Sequence, residues 1–275
     1  MRIDAHQHFW NYDPIRHDWI NEDMKAIQKD FLPNDLAPLL QKNDVDGSVL
    51  VQVDETDDET EYLVSLAKTH SLIKGVVGWV NLKSDQLEAK LDQYQGSKSL
   101  KGFRDILQAK PKGFMTDSKF VDGIRTLGKK GFTYDILSFE SQLEEVLELI
   151  NQLDEQPLVI DHISKPDIKH NSFDHWAKYM GEISTREHVF VKFSGMVTEA
   201  DWNNWTTNDF HPYIDFCLEK FGPNRLMFGS DWPVCLVAGD YSEVLNIVRN
   251  SIDSLSESER NMILGETATR FYKIN

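Results

Sequence analysis

The 275-residue chain has 40% hydrophobic and 27% charged side chains, an ordinary globular balance without a Gly/Ser-rich or Pro-rich linker, so one domain over residues 1–275 is expected. Its formal net charge of −16 argues against nucleic acid and anionic membrane surfaces as partners, and no run of about 18 apolar residues offers a membrane-spanning helix. Two cysteines, Cys217 and Cys235, make neither a zinc-type spacing nor a disulfide framework, and the N-terminus lacks a secretory-signal shape; a cytoplasmic location is expected.

The first element is a strand from Arg2 to His6 in "RIDAHQHFW". Strands alternate their faces every second residue, so Asp4, His6 and His8 are expected on one side. Three polar side chains in a row do not face an ordinary core cheaply, which points to a metal or catalytic cluster. "YDPIRHDWI" follows as a loop over the mouth, and "DGSVLVQV" is the second strand. The acidic "VDETDDETE" is a solvated loop leading into the helix "DETEYLVSLAKTH". Strand three, "KGVVGWV", precedes a helix over "SDQLEAKLDQY", and strand four, "SLKGFRDIL", precedes one around "DSKFVDGIRTLGKKG". "FTYDIL" is strand five, followed by the amphipathic "SQLEEVLELINQL". "QPLVIDH" and "HVFVKFSG" are strands six and seven, with helices at "FDHWAKYMGEIS" and "FHPYIDFCLEKFG". Strand eight is "NRLMFGSDW", and "DYSEVLNIVRNSI" and "SESERNMILGETATRFY" close the chain as helices.

Eight strands alternating with helices predict a (β/α)8 TIM barrel of the α/β class. No GxGxxG follows a strand and no GxxxxGK[ST] occurs, which lowers the case for a nucleotide enzyme. Barrel enzymes gather their chemistry at the C-terminal strand ends. Polar residues stand there on nearly every strand: His6 and His8, Gln52 and Asp54, Trp79 and Asn81, Arg104 and Asp105, Tyr134 and Asp135, Asp161 and His162, Lys192 and Ser194, Ser230 and Asp231. The signal is the convergence of His6, His8, His162, Arg104 and Asp231 on one mouth.

Such a set supports two chemistries. His6, His8, His162 and Asp231 can hold one divalent ion, zinc foremost. Without metal, histidines and an arginine can polarise a carbonyl while the aspartate takes a proton from water. Both describe hydrolysis of a carbonyl compound. Asp231 lies in "FGSDWP", where Gly229 permits a close backbone approach. Trp10, Trp79 and Trp232, with Tyr134 and Arg104, are the candidates for contacting a hydroxylated ring; Trp19 and Trp202 also lie near the mouth.

"DAHQHFW", "YDPIRHDWI", "KGFRDIL", "YDIL", "DHISKP", "VKFSGMVTEADW", "FGSDWPV" and "ERNMILGETATRFY" run in order over nearly the whole chain. With these motifs the chain resembles the amidohydrolase superfamily, in its amidohydrolase 2 branch of sugar and muconate lactonases. The resemblance implies a metal-dependent-hydrolase-like barrel that opens a sugar aldonolactone, of the L-fuconolactone or L-rhamnonolactone kind, to the aldonic acid. It makes His6 and His8 the paired histidines of the first strand, His162 the histidine ending the sixth, and Asp231 the aspartate of the eighth. Metal-dependent members often add a carboxylated lysine or glutamate on strand four and a histidine on strand five; here stand Arg104, and Tyr134 and Asp135. That departure argues against a two-metal centre and leaves either no required cofactor or one divalent ion. A homodimer is the accompanying expectation. The alternatives are a hydrolase or decarboxylase of another small carbonyl or aromatic acid substrate, and a barrel that binds a small molecule without catalysis.

Overall fold

The computed structural model describes residues 1–153 and 155–275. Eight parallel strands are hydrogen-bonded in chain order: β1 (Ile3–Gln7), β2 (Gly47–Val51), β3 (Ile73–Gly78), β4 (Leu100–Asp105), β5 (Thr133–Ile136), β6 (Leu158–Ile160), β7 (Val189–Phe193) and β8 (Leu226–Phe228). The sheet closes on itself where Gln7 bridges Trp232. Helices α1 (Pro33–Lys42), α2 (Asp57–Thr69), α3 (Leu87–Tyr94), α4 (Ser118–Lys129), α5 (Leu143–Gln152), α6 (Asp174–Ser184), α7 (Thr207–Phe221) and α8 (Tyr241–Ser251) alternate with the strands. The result is the expected (β/α)8 barrel.

The strands are short, apolar and buried on both faces, as parallel strands under a helical shell must be. Their residues alternate between two cores. Leu50, Val76, Ile160 and Phe228 belong to the large outer core shared with the helices. Ala5, Val49, Val51, Val77, Val159 and Met227 form a smaller inner core, joined by Phe271 and Tyr272 from the C-terminal segment. The acidic run begins α2: Thr56 Oγ1 accepts from Glu59 N, and Asp57, Asp58 and Glu59 fill a first turn where the helix dipole favours negative charge.

Three features depart from the sequence reading. Helix α1, absent from the sequence reading, carries Pro38 inside it and buries Leu36 and Leu40. The closing helix is broken into α9 (Glu257–Asn261), a π turn (Met262–Glu266) and α10 (Thr267–Phe271). At the break, Gly265 lies against the N-terminal backbone, and a Cβ there would sit 2.2 Å from Met1 O. The third departure is in β1, whose register against β2 shifts between Asp4 and Gln7. The shift interrupts the two-residue alternation. Asp4 therefore does not join His6 and His8. Its carboxylate accepts from Ser230 N (2.8 Å), Ser230 Oγ (2.6 Å) and Tyr241 OH (3.1 Å), tying β1 to the end of β8 and to α8. Burial pushes this acid up to about 6.

Candidate active site

His6 and His8 leave the C-terminal end of β1 side by side, with their Nε2 atoms 3.1 Å apart. His8 Nδ1 lies 2.7 Å from Val51 O, an acceptor only, so Nδ1 carries a hydrogen. Asp231 follows β8 in the left-handed region (φ +56°) and is laced to β1: Asp231 N donates to His6 O (2.8 Å) and His8 N to Trp232 O (2.7 Å). Its Oδ1 lies 3.3 Å from His8 Nε2, 3.8 Å from His6 Nε2 and 4.0 Å from His162 Nε2. Gly229 makes this closeness sterically feasible, since a Cβ there would lie 2.7 Å from His6 Cβ.

His162 opens a run of four non-glycine residues with positive φ: His162 (54°), Ile163 (47°), Ser164 (60°) and Lys165 (46°). Left-handed backbone costs roughly 1–2 kcal/mol per such residue, and a β-branched residue is an outlier there. Three clamps hold the turn. Trp176 Nε1 donates to Ile163 O (2.6 Å), the Ser138 and Ser164 hydroxyls lie 2.7 Å apart, and His162 Nδ1 lies 2.8 Å from Ser194 Oγ. Gly195 leaves room for the ring, because a Cβ there would lie 2.6 Å from His162 Nδ1. The strain sits where the His162 ring is brought to Asp231.

Below these groups lies a buried ionic layer. Arg104 donates through NH1 to Asp161 Oδ2 (3.0 Å) and through NH2 to Gln52 O (2.5 Å), and NH1 lies 3.3 Å from His6 Nε2. Lys192, wholly buried, lies 2.6 Å from Asp135 Oδ2 and 2.9 Å from Asp161 Oδ1. Two cations therefore face two carboxylates, the only cheap way to bury such charges. From the sequence, Asp161 and Lys192 are named only as strand-end residues. The missed signal is "VFVKFS", a lysine inside an apolar strand, which requires acidic partners.

Burial drives the His6 imidazole well below its ordinary range and His162 down to about 4, so both are neutral near pH 7. Burial also favours the acid form of Asp231, but His162, His8 and His6 around it hold the carboxyl below its ordinary range. Asp135 is pushed up to about 6 by burial against the pull of Lys192. Burial raises Asp161 too, but Lys192, His6 and Arg104 outweigh it and hold the carboxyl well down.

The structure thus brings His6, His8, His162, Arg104 and Asp231 together. Most of the aromatic candidates are buried in the core instead. Tyr134 is fully buried, its ring against Phe120 of α4 and its hydroxyl on Asp105 Oδ2 (3.3 Å). Trp10 spends its indole N–H on Lys29 O (2.9 Å), and Trp232 packs edge-on against Phe31 and Phe9. These three are core side chains, because the apolar bulk that suits a sugar face suits a core equally well. Trp79 alone of the four is partly exposed, its Nε1 donating to Asp105 Oδ1 (3.1 Å). Asp105 thus holds both Trp79 and Tyr134, and burial pushes it to about 7. In the loop after β1, Arg16 pairs with Asp54 (2.9 Å), and the His17 ring stacks on Tyr12.

A profile described as amidohydrolase matches residues 3–274. The chain belongs to the amidohydrolase family. Two relatives are named L-fucono-1,5-lactonase. That of Burkholderia multivorans is 39% identical over 286 residues, covering 100% of this chain and 96% of its own. That of Burkholderia ambifaria is 33% identical over 285 residues, with the same coverage. A crystal structure of an amidohydrolase from Burkholderia multivorans with bound Zn superposes with a TM-score of 0.97 at 38% identity, covering all of both chains.

The donor set of this amidohydrolase fits one divalent ion. His6 Nε2, His8 Nε2 and an Asp231 oxygen lie within 4.8 Å of one another, the spacing of ligands about 2.0–2.2 Å from a shared zinc. His6, Asp161 and His162 form a second group of this kind, but the Lys192 Nζ lies 2.9 Å from its Asp161 Oδ1 and 3.2 Å from His6 Nδ1. Among the described residues no helix is long and apolar enough to cross a membrane.

Proposed function

We propose that this protein hydrolyses a sugar aldonolactone of the L-fucono-1,5-lactone or L-rhamnonolactone kind to the aldonic acid. The observation that carries the reading is one carboxylate oxygen, Asp231 Oδ1, held 3.3–4.0 Å from three imidazoles. The full-length resemblance to proteins named L-fucono-1,5-lactonase supports the substrate class.

Asp231 is the general base. Held ionised, it takes a proton from water as the water oxygen attacks the lactone carbonyl carbon. The negative charge then growing on the carbonyl oxygen is met by N–H groups of Arg104 and His6, with His8 beside them. His162, neutral and clamped by Ser194, orients the water. As the ring C–O bond breaks, Asp231 returns its proton to the leaving ring oxygen, which becomes the alcohol of the open acid. His6, His8 and Asp231 would hold a divalent ion, with His162 alongside; when bound, such an ion polarises the carbonyl or the water. Of the candidates named from sequence, Arg104 and the partly exposed Trp79 are the ones we assign to the ring.

A panel of aldonolactones, with acid release followed by a pH indicator, tests the reading. Release above the spontaneous rate is expected for a six-carbon or deoxy-sugar lactone. No release on any lactone overturns it.

A further inference from the structure

An ammonium group has three hydrogens to donate. Lys192 Nζ has three acceptors around it: Asp135 Oδ2 at 2.6 Å and His6 Nδ1 at 3.2 Å take hydrogen bonds, and Asp161 Oδ1 at 2.9 Å is an ion-pair partner. Asp161 Oδ1 also lies 3.4 Å from His6 Nδ1. His6 Nδ1 therefore has a donor on one side and an acceptor on the other. A neutral imidazole has a single N–H, so it can use only one of them at a time.

We propose that Lys192 is a positioning residue: by donating to His6 Nδ1 it sets the His6 ring with its hydrogen on Nε2, facing the mouth, and so weakens the hold of the His6, His8 and Asp231 group on a divalent ion. In this arrangement one chain of hydrogen bonds runs in a single direction, and Arg104 NH1, 3.3 Å from His6 Nε2, is the donor left facing a donor. Lys192 donates to His6 Nδ1, His6 Nε2–H points at His8 Nε2 (3.1 Å), and His8 Nδ1–H donates to Val51 O (2.7 Å). His6 Nε2 is then a donor available to a developing oxyanion. To ligate an ion through Nε2, His6 must carry its hydrogen on Nδ1. That hydrogen would find Asp161 Oδ1, the usual kind of partner for a metal-bound histidine. It would also lose the Lys192 bond and face the ammonium directly. Lys192 thus favours one tautomer of the ring and Asp161 and Arg104 the other, and the shortest of the three contacts, 3.2 Å against 3.4 and 3.3 Å, belongs to Lys192.

The test uses the full-length protein stripped of metal by a chelator. Long-range 1H–15N spectra, with His6 assigned against His6→Gln, read the tautomer, and zinc is titrated against a chromophoric competitor. Lys192→Met leaves two buried carboxylates facing one cation, so it is combined with Asp135→Asn, which keeps an acceptor for the Tyr272 hydroxyl, 2.7 Å away. Wild-type His6 is expected with its hydrogen on Nε2. In the double variant it moves to Nδ1, and zinc binds about tenfold or more tighter, the scale on which such supporting partners act. A wild-type His6 carrying its hydrogen on Nδ1, or zinc affinity unchanged or weaker in a folded double variant, overturns the proposal. If the double variant does not fold, the wild-type spectrum decides. Neither readout depends on the lactone being the substrate.

Discussion

Gly229→Ala adds one methyl group at the seam between β1, β7 and β8. The new Cβ would lie 2.7 Å from His6 Cβ, 3.1 Å from Ser194 Cβ and 3.2 Å from His6 N. Ordinary contact begins at 3.4 Å, so His6 must retreat by 3.4 − 2.7 = 0.7 Å. Neither obstructing Cβ can swing aside by rotating a side chain, so the backbone of β1 or of Ser194 has to move. Overpacking of this kind costs about 1–3 kcal/mol, which lowers Tm by several degrees at roughly 2–4 °C per kcal/mol. The larger effect falls on activity, because misplacing a positioned group by about 1 Å costs about 10²-fold. His6 is also joined to Asp231 through Asp231 N, so both sides of the site shift together. The assay is lactone hydrolysis beside thermal unfolding, with Gly96→Ala as control, since nothing lies within 4 Å of a Cβ there. A folded Gly229→Ala protein with wild-type turnover would refute the claim that the His6–Asp231 geometry carries the reaction.

Asp231→Asn keeps the shape but removes the base, so turnover corrected for spontaneous opening should fall by about 10²-fold or more; undiminished turnover makes His162 the next candidate base. Because its neighbours hold the Asp231 carboxyl below the ordinary range, the acid limb of kcat/KM should lie below pH 3.8 or be cut off by unfolding, and a limb centred near pH 6 would contradict that assignment. His162 titrates near 4 when folded and near 6.5 otherwise, so the unfolded chain binds the extra proton between those values. Stability should therefore fall on acidification from pH 6.5 towards 4 and be fully present above 6.5, by up to about 3 kcal/mol. Urea titrations of His162→Gln should show a shallower acid slope, and an unchanged slope assigns the effect elsewhere. Elemental analysis should find no more than one tightly held divalent ion per chain, because Lys192 occupies the second cluster. Tyr134→Phe should leave KM unchanged while lowering Tm slightly, since its hydroxyl meets Asp105; a raised KM would return Tyr134 to the ring site.

The barrel was legible because each strand is a short, doubly buried apolar run and each helix an amphipathic one, both written in local sequence. The polar residues ending those strands had to meet at one mouth once the strands were parallel, and so His6, His8, Arg104, His162 and Asp231 could be named in advance. Spacing alone failed where a local rule was broken by a distant contact. Perfect alternation put Asp4 beside His6 and His8, but the register shift in β1 turned it toward Ser230 and Tyr241. Aromatic residues near strand ends looked like sugar-binding surfaces, but Tyr134, Trp10 and Trp232 found partners in α4, in Lys29 and in Phe31, which lie 14 or more residues away along the chain or on other elements. The left-handed turn at His162 has no local signature, and the lysine in "VFVKFS" signals a need for acidic partners without saying that they are Asp135 and Asp161. Each is unfavourable by itself and persists only because distant groups compensate for it: Trp176, Ser138 and Ser194 for the turn, two carboxylates and an imidazole for the lysine. Local preference therefore determined the elements and their order, while tertiary contact decided which polar groups became a site and which became its support.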